Sequence, residues 1–167
     1  MSQYERLKIY SIDEVLRHTE FTGRKVEHEF DGHLIKMNSL RYQTFAKKGV
    51  QCVRCGLVGT YFAMEKSKYQ EGTRYHFNLY GIDDQGNEVM LTKDHILPRS
   101  RGGSNNVEKN LQTLCTRCNM EKGCMTEAEY SKKSVKKKEK RKIPIDTDTQ
   151  PVLKERTQHE REDRAED

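Results

Sequence analysis

The chain has no tryptophan, no apolar run long enough to span a bilayer, and no basic-apolar-small pattern at its N-terminus. These absences remove the signals for membrane insertion and for secretion. No internal repeat is visible beyond paired cysteines, so neither a solenoid nor a propeller is indicated. Apolar residues are scarce as well: 33% of the 167 residues are hydrophobic and 34% charged. That suits one domain plus tails and is poor for a large core. The expected setting is intracellular and cytoplasmic, where cysteines stay reduced and disulfides are disfavoured.

What is present begins with cysteine. Four of the five cysteines form two Cys-x-x-Cys pairs, Cys52/Cys55 and Cys115/Cys118. Four thiolates in two close pairs can converge tetrahedrally on a zinc ion, and the loop between the pairs is free in length. The gap from Cys55 to Cys115 is longer than in common zinc ribbons, so a structural zinc site is inferred from the local spacing. Such a staple offsets the small core. Cys124 is the odd one out and reads as a packing or exposed thiol.

Charge is unevenly placed. The net charge is +5, which suits a polyanionic partner. Residues 132–142, KKSVKKKEKRK, hold eight Lys/Arg against the single Glu139, and residues 145–167 hold eight Asp/Glu against four Lys/Arg. The basic run has no apolar periodicity and reads as a solvated, disordered segment able to add sequence-independent phosphate affinity. The domain is expected to end near Tyr130, with residues 131–167 as a charged tail.

Along the rest of the chain, Ser11 followed by Glu14 reads as a capping box opening a short helix through about His18. Asp31-Gly32 signals a turn, His33–Met37 a short strand, and Asn38 or Ser39 the cap of a helix that stops at Gly49. Residues 1–49 are accordingly read as an N-terminal, largely helical extension. Tyr75–Tyr80, the turn DDQGN and Glu88–Thr92 predict a β-hairpin that delivers Asp94-His95 at its end. An irregular glycine-containing loop, RSRGGSNN, follows.

The strings CVRCG, DHILPRSRGG, NVEKNLQTLC and CTRCNMEKG, collinear over about residues 50–124, resemble the zinc-ribbon-containing branch of the HNH endonucleases. The resemblance implies an α+β protein: a small ββα-metal nuclease core over residues 50–130, stapled by a four-cysteine zinc site. It further implies metal-dependent hydrolysis of DNA phosphodiester bonds, in a bacterial or phage-infected host cell. By the same resemblance Asp94 matches the metal-binding aspartate, His95 the general base, Asn110 the residue orienting that histidine, and Asn119 the second metal ligand. Asn119 stands where many members carry histidine, and an amide oxygen shifts the expected catalytic ion toward Mg²⁺ or Mn²⁺.

The residue types suit that chemistry. Phosphodiester hydrolysis needs an activated water, neutralised phosphoryl charge and a stabilised leaving oxygen. A neutral imidazole supplies the base near neutral pH. Neighbours on a regular strand point to opposite faces, so Asp94 and His95 share one site only if the backbone becomes irregular there. Pro98 and Gly102-Gly103 offer such a break. Asn110 is expected to bond to the ring through its amide. Arg99, Arg101, Arg117 and Lys122 are candidate phosphate contacts by proximity. His18, His28, His33, His76 and His159 lack ligand-like neighbours. A non-catalytic zinc module for DNA or a protein partner is the competing reading.

Overall fold

The computed structural model describes residues 3–140. Within them the elements are β1 (Tyr4–Tyr10), α1 (Ile12–Leu16), β2 (Glu27–Phe30), β3 (His33–Lys36), α2 (Leu40–Lys48), β4 (Tyr61–Ser67), β5 (His76–Ile82) and β6 (Glu88–His95). A 3₁₀ turn at Arg99–Arg101 follows, then α3 (Val107–Asn110), β7 (Leu111–Cys115), α4 (Thr116–Lys122) and α5 (Glu127–Lys140). The fold class is mixed α+β. β1, β4, β5, β6 and β7 lie in that order in one antiparallel sheet, while β2 and β3 form a separate hairpin.

Local chemistry accounts for most of the element ends. The Ser11–Glu14 capping box is formed in both directions, but its helix stops at Leu16, two residues before His18. Ser39 rather than Asn38 caps α2, and Gly49 ends it at φ 83°. The β2–β3 turn places Asp31 at φ 46° and Gly32 at φ 77°, the left-handed pair that a tight hairpin requires. Across the β5–β6 turn, Asp83 accepts from the backbone N–H of Gln85 and Asn87. β6 then runs on to His95, three residues past the expected Thr92.

The first 49 residues are part of the main body. β1 pairs with β4 along its length, apart from an irregularity between Arg6 and Lys8. α1, α2 and the β2–β3 hairpin cover one sheet face through Val15, Tyr42, Phe45, Phe30, Ile35 and Met37, all in the same core cluster as Phe62, Phe77 and Leu91. Phe77 sits at its centre, edge-on to Phe30 at 4.9 Å and to Tyr10 at 5.2 Å between ring centroids. Each such side chain contributes about 1.5–3 kcal/mol on burial. So the sequence's N-terminal extension carries three strands besides its helices and completes the core.

On the opposite face lie α4 and α5. α5 is held by buried Tyr130, whose hydroxyl donates to Glu121 at 3.0 Å and whose ring lies under Arg54 at 4.5 Å. The helix runs to Lys140, so the first part of the segment expected to be disordered is helical. The rest of the basic run and the acidic end lie outside the described residues. Among the described residues no helix is long and apolar enough to cross a membrane.

Candidate metal centre and active site

Two clusters stand close together along β7 and α4. The first is the cysteine cluster. Cys52 and Cys55 flank a tight knuckle in which Cys52 N–H donates to Leu57 O and Gly56 N–H to Cys52 O. Val53 N–H donates to Thr113 O, which ties the knuckle to β7. Cys115 ends β7 and caps α4, its sulfur accepting from Cys118 N–H at 3.5 Å. The four sulfurs lie within 4.8 Å of one another, and Cys55 Sγ is 3.7 Å from Cys115 Sγ. A tetrahedron with metal–sulfur bonds of about 2.3 Å has an edge of about 3.8 Å, so the cluster is able to hold a metal ion.

Burial is the largest influence on Cys52, Cys115 and Cys118. It pushes Cys115 and Cys118 up, whereas at Cys52 backbone N–H donors outweigh burial and bring the thiol down. Cys124 is exposed and not part of the cluster.

The second cluster is built on β6, the following loop, β7 and α4, in the order strand, loop, strand, helix. Pairing of β6 with β7 is unbroken from Leu91↔Cys115 to His95↔Leu111. The expected irregularity between Asp94 and His95 is therefore not found. Alternation sends the two side chains to opposite faces, and their partners agree. Asp94 Oδ2 meets Lys122 Nζ at 2.8 Å and Gln112 Nε2 at 2.9 Å, beneath α4 and α5. His95 Nε2 lies 2.9 Å from Asn105 Oδ1 in the loop. With the amide oxygen facing the ring, this contact is a hydrogen bond in the tautomer that protonates Nε2, which leaves the lone pair on Nδ1.

Asn110 does not touch the ring. Its Oδ1 accepts from Leu97 N–H at 2.8 Å, and its Nδ2 donates to Leu97 O at 3.1 Å and Ser104 O at 2.8 Å. Ile96 N–H donates to Asn110 O. One buried amide thus clips both ends of the loop that begins immediately after His95. Gly103 packs into that clip: a Cβ there would meet Leu97 O at 1.8 Å and Asn110 Nδ2 at 2.9 Å. The loop closes only with glycine at this position.

Asn119 faces the same β6–α4 seam as Asp94, one helical turn before Lys122, and its Nδ2 donates to Thr92 Oγ1 at 3.0 Å. Lys122 is fully buried, pairing with Asp94 and donating to His95 O at 2.6 Å. Among the four proposed phosphate contacts, Arg101 is engaged by Glu129 at 2.9 Å and Arg117 by Asp83 at 2.7 Å. Arg99 alone is exposed without an ion pair among the described residues. Residues that sequence reasoning missed are Asn105 and Gln112. Asn105 lies in a polar loop where any of several side chains could reach the ring. Gln112 is opposite Asp94 in the ladder, a pairing readable only once β7 is known to be a strand.

The β6–loop–β7–α4 unit thus carries a histidine at its first strand end and an asparagine that clips the following loop, and it brings Cys115 and Cys118 to the cysteine cluster. Residues 83–135, which contain this unit, match the family model of the HNH endonucleases. No curated protein and no solved structure matches the chain.

Proposed function

We propose that the chain is a metal-dependent endonuclease that hydrolyses DNA phosphodiester bonds with His95 as general base. The observation that carries this reading is the loop clip: within the stretch matched by the HNH model, Asn110 and Gly103 fix the backbone beside His95, and Asn105 fixes the ring. His95 Nδ1 would take the proton from the attacking water. Asn105 is a positioning residue through the ring, and Asn110 through the backbone.

Two metal sites are proposed with it. The cysteine cluster would hold zinc as a structural ion. Asp94 and Asn119 would hold the catalytic divalent ion, for which their hard oxygen donors favour Mg²⁺ or Mn²⁺. Because Asp94 and His95 point to opposite faces of β6, such an ion would act in one step with His95 only if the end of β6 left its pairing with β7; it would then neutralise phosphoryl charge and stabilise the leaving 3′ oxygen. Both protein contacts of Asp94 fall on Oδ2, which leaves Oδ1 for a ligand. Lys122 shields the same carboxylate until then.

The test is incubation of the purified protein with supercoiled plasmid, with and without Mg²⁺ or Mn²⁺, resolving nicked and linear products. Ion-dependent cleavage by the wild type, absent in His95→Ala at equal zinc content, supports the reading. Tight DNA binding without cleavage under any divalent ion would favour a non-catalytic zinc module instead.

A further inference from the structure

β5 and β6 start as a ladder and then part. Their pairing runs from Ile82↔Glu88 to Leu79↔Leu91 and does not continue to Phe77 and Lys93. The polar backbone groups of Phe77 at the gap are taken by α2 instead. Tyr42 Oη accepts from Phe77 N–H at 2.9 Å, and Arg41 donates to Phe77 O at 3.4 Å and to the Asn78 side chain. Buried backbone groups must be satisfied, so α2 makes the separation of these strands a stable feature of the fold.

A cleft of about 650 Å³ opens over this gap, between the β2–β3 hairpin, the start of α2 and β6. Its charged lining is Lys25, Lys36, Arg41, Arg74 and Lys93 against the single carboxylate Glu27. That carboxylate is committed to Lys25 at 2.8 Å and Arg74 at 2.9 Å. Among the described residues, no carboxylate lies in ion-pair range of Lys36, Arg41 or Lys93. Lys93 is part-buried and lines the cleft together with Arg41. Crowding like charges at a desolvated site opposes folding, and an anion seated there relieves it.

Lys93 also precedes His95 by two residues on one regular strand. Alternation puts both on the same sheet face, separated by about 7 Å. We propose that this cleft is the track for the phosphodiester backbone of duplex DNA, leading over Lys36 and Arg41 and past Lys93 to His95. Most of its lining comes from residues outside the stretch 83–135 matched by the family model, which gives the N-terminal elements a binding task besides completing the core. The contacts are to phosphate and carry no sequence preference. The proposal rests on the nuclease reading only for what happens to the DNA once bound.

Binding of a fluorescently labelled duplex by the full chain, followed by anisotropy without divalent ion over a KCl series, tests it. Each lost phosphate contact lowers the slope of log affinity against log salt by about 1. Lys36→Gln, at an exposed position, is expected to lower the slope by about 1. The double variant with Lys93→Gln is expected to lower it by about 2, and arginine at both positions is expected to restore it. Lys68→Gln, exposed and outside the cleft lining, removes the same charge and should leave the slope as it is. Equal slopes for wild type and Lys36→Gln, or no duplex binding by the wild type, overturn the proposal. Plasmid cleavage is scored separately: binding that follows these slopes without cleavage retains the cleft and removes the nuclease reading, and the converse result does the opposite.

Discussion

The cysteine cluster and the Asp94 seam are both placed by β7 and α4, yet they are prepared for a metal in opposite ways. The sulfurs are gathered by backbone hydrogen bonds alone, and the 3.7 Å contact between Cys55 and Cys115 already has the span of a thiolate tetrahedron. No protein cation stands among them in the described residues. Asp94, by contrast, has a resident cation: the buried Lys122 ammonium at 2.8 Å, with Gln112 beside it. The first cluster could hold an ion without rearrangement. The second is stable without one, and an incoming ion must share its carboxylate with Lys122. Pre-organisation by backbone therefore marks the proposed structural site, and a satisfied ion pair marks the proposed catalytic one.

The sharpest break between the two comes from Cys115→Ser. Ion binding in a site of this kind contributes directly to folding, with apparent values of about 10–16 kcal/mol. The variant is expected to lose the cooperative unfolding transition and its zinc, checked by circular dichroism and elemental analysis. A strong chelator should do the same to the wild type. Asp94→Ala should retain zinc and lose the catalytic ion, with a loss of stability from leaving Lys122 buried without its partner. Wild-type zinc content and melting in Cys115→Ser would show that the thiolates are not the staple.

Next in size is the chemistry. His95→Ala is expected to lower cleavage by about 10² to 10⁴ while leaving zinc content and duplex binding unchanged, as for other general bases. Asn105→Ala should lower kcat with little change in KM, since it frees the ring without touching DNA. Asn110→Ala should cost stability as well, because its amide holds Leu97 and Ser104. Equal effects of the two asparagine variants on melting would mean that the loop clip does not depend on Asn110.

How much of this was legible differs from element to element, for physical reasons. The capping box at Ser11, the α2 limits and the β5–β6 turn depend on neighbours within a few residues, and the sequence carries them openly. β1 and β4 were not legible, because their exposed-looking polar residues, such as Arg6 and Glu65, satisfy one another only after pairing brings them to 2.8 Å. The metal cluster could be read from its spacing, since Cys-x-x-Cys pairs converge locally. The role of Asn110 was readable only as far as its position in a motif. That its amide grips backbone and not imidazole depends on where Gly103 lets the loop pass. Lys122 read as a candidate phosphate contact, and only packing of α4 on β6 turns it inward.

Lys122 offers the next break in the comparison. Removing one partner of a buried ion pair costs about 3–5 kcal/mol because the other is left charged and buried. Lys122→Met is therefore expected to destabilise the protein by about that amount, read from denaturant midpoints. Added Mg²⁺ or Mn²⁺ should recover part of the loss in Lys122→Met and none of it in the double variant with Asp94→Asn. A wild-type midpoint for Lys122→Met would show that the pair is not what holds the seam closed.

The smallest effect tests an exposed pair on the rim. Arg101 holds the Glu129 carboxyl down to about 2, through its side-chain hydrogen bond first and then the Thr126 backbone. A depressed folded pKa means that this contribution is fully present above the ordinary carboxylate range near 4.5 and is lost as pH falls toward 2. Both groups are solvent-exposed, so screening keeps the effect small. Glu129→Gln should lower the melting temperature slightly at pH 7 and not at all near pH 2, and the pH 7 difference should shrink in 1 M salt. Since Arg101 lies in the turn after His95 and Glu129 in α5, this pair ties the loop to the helix on its outer side, whereas Asn110 holds it from within. A pH-independent difference in melting would assign the loss to helix capping at Thr126 instead of to the ion pair.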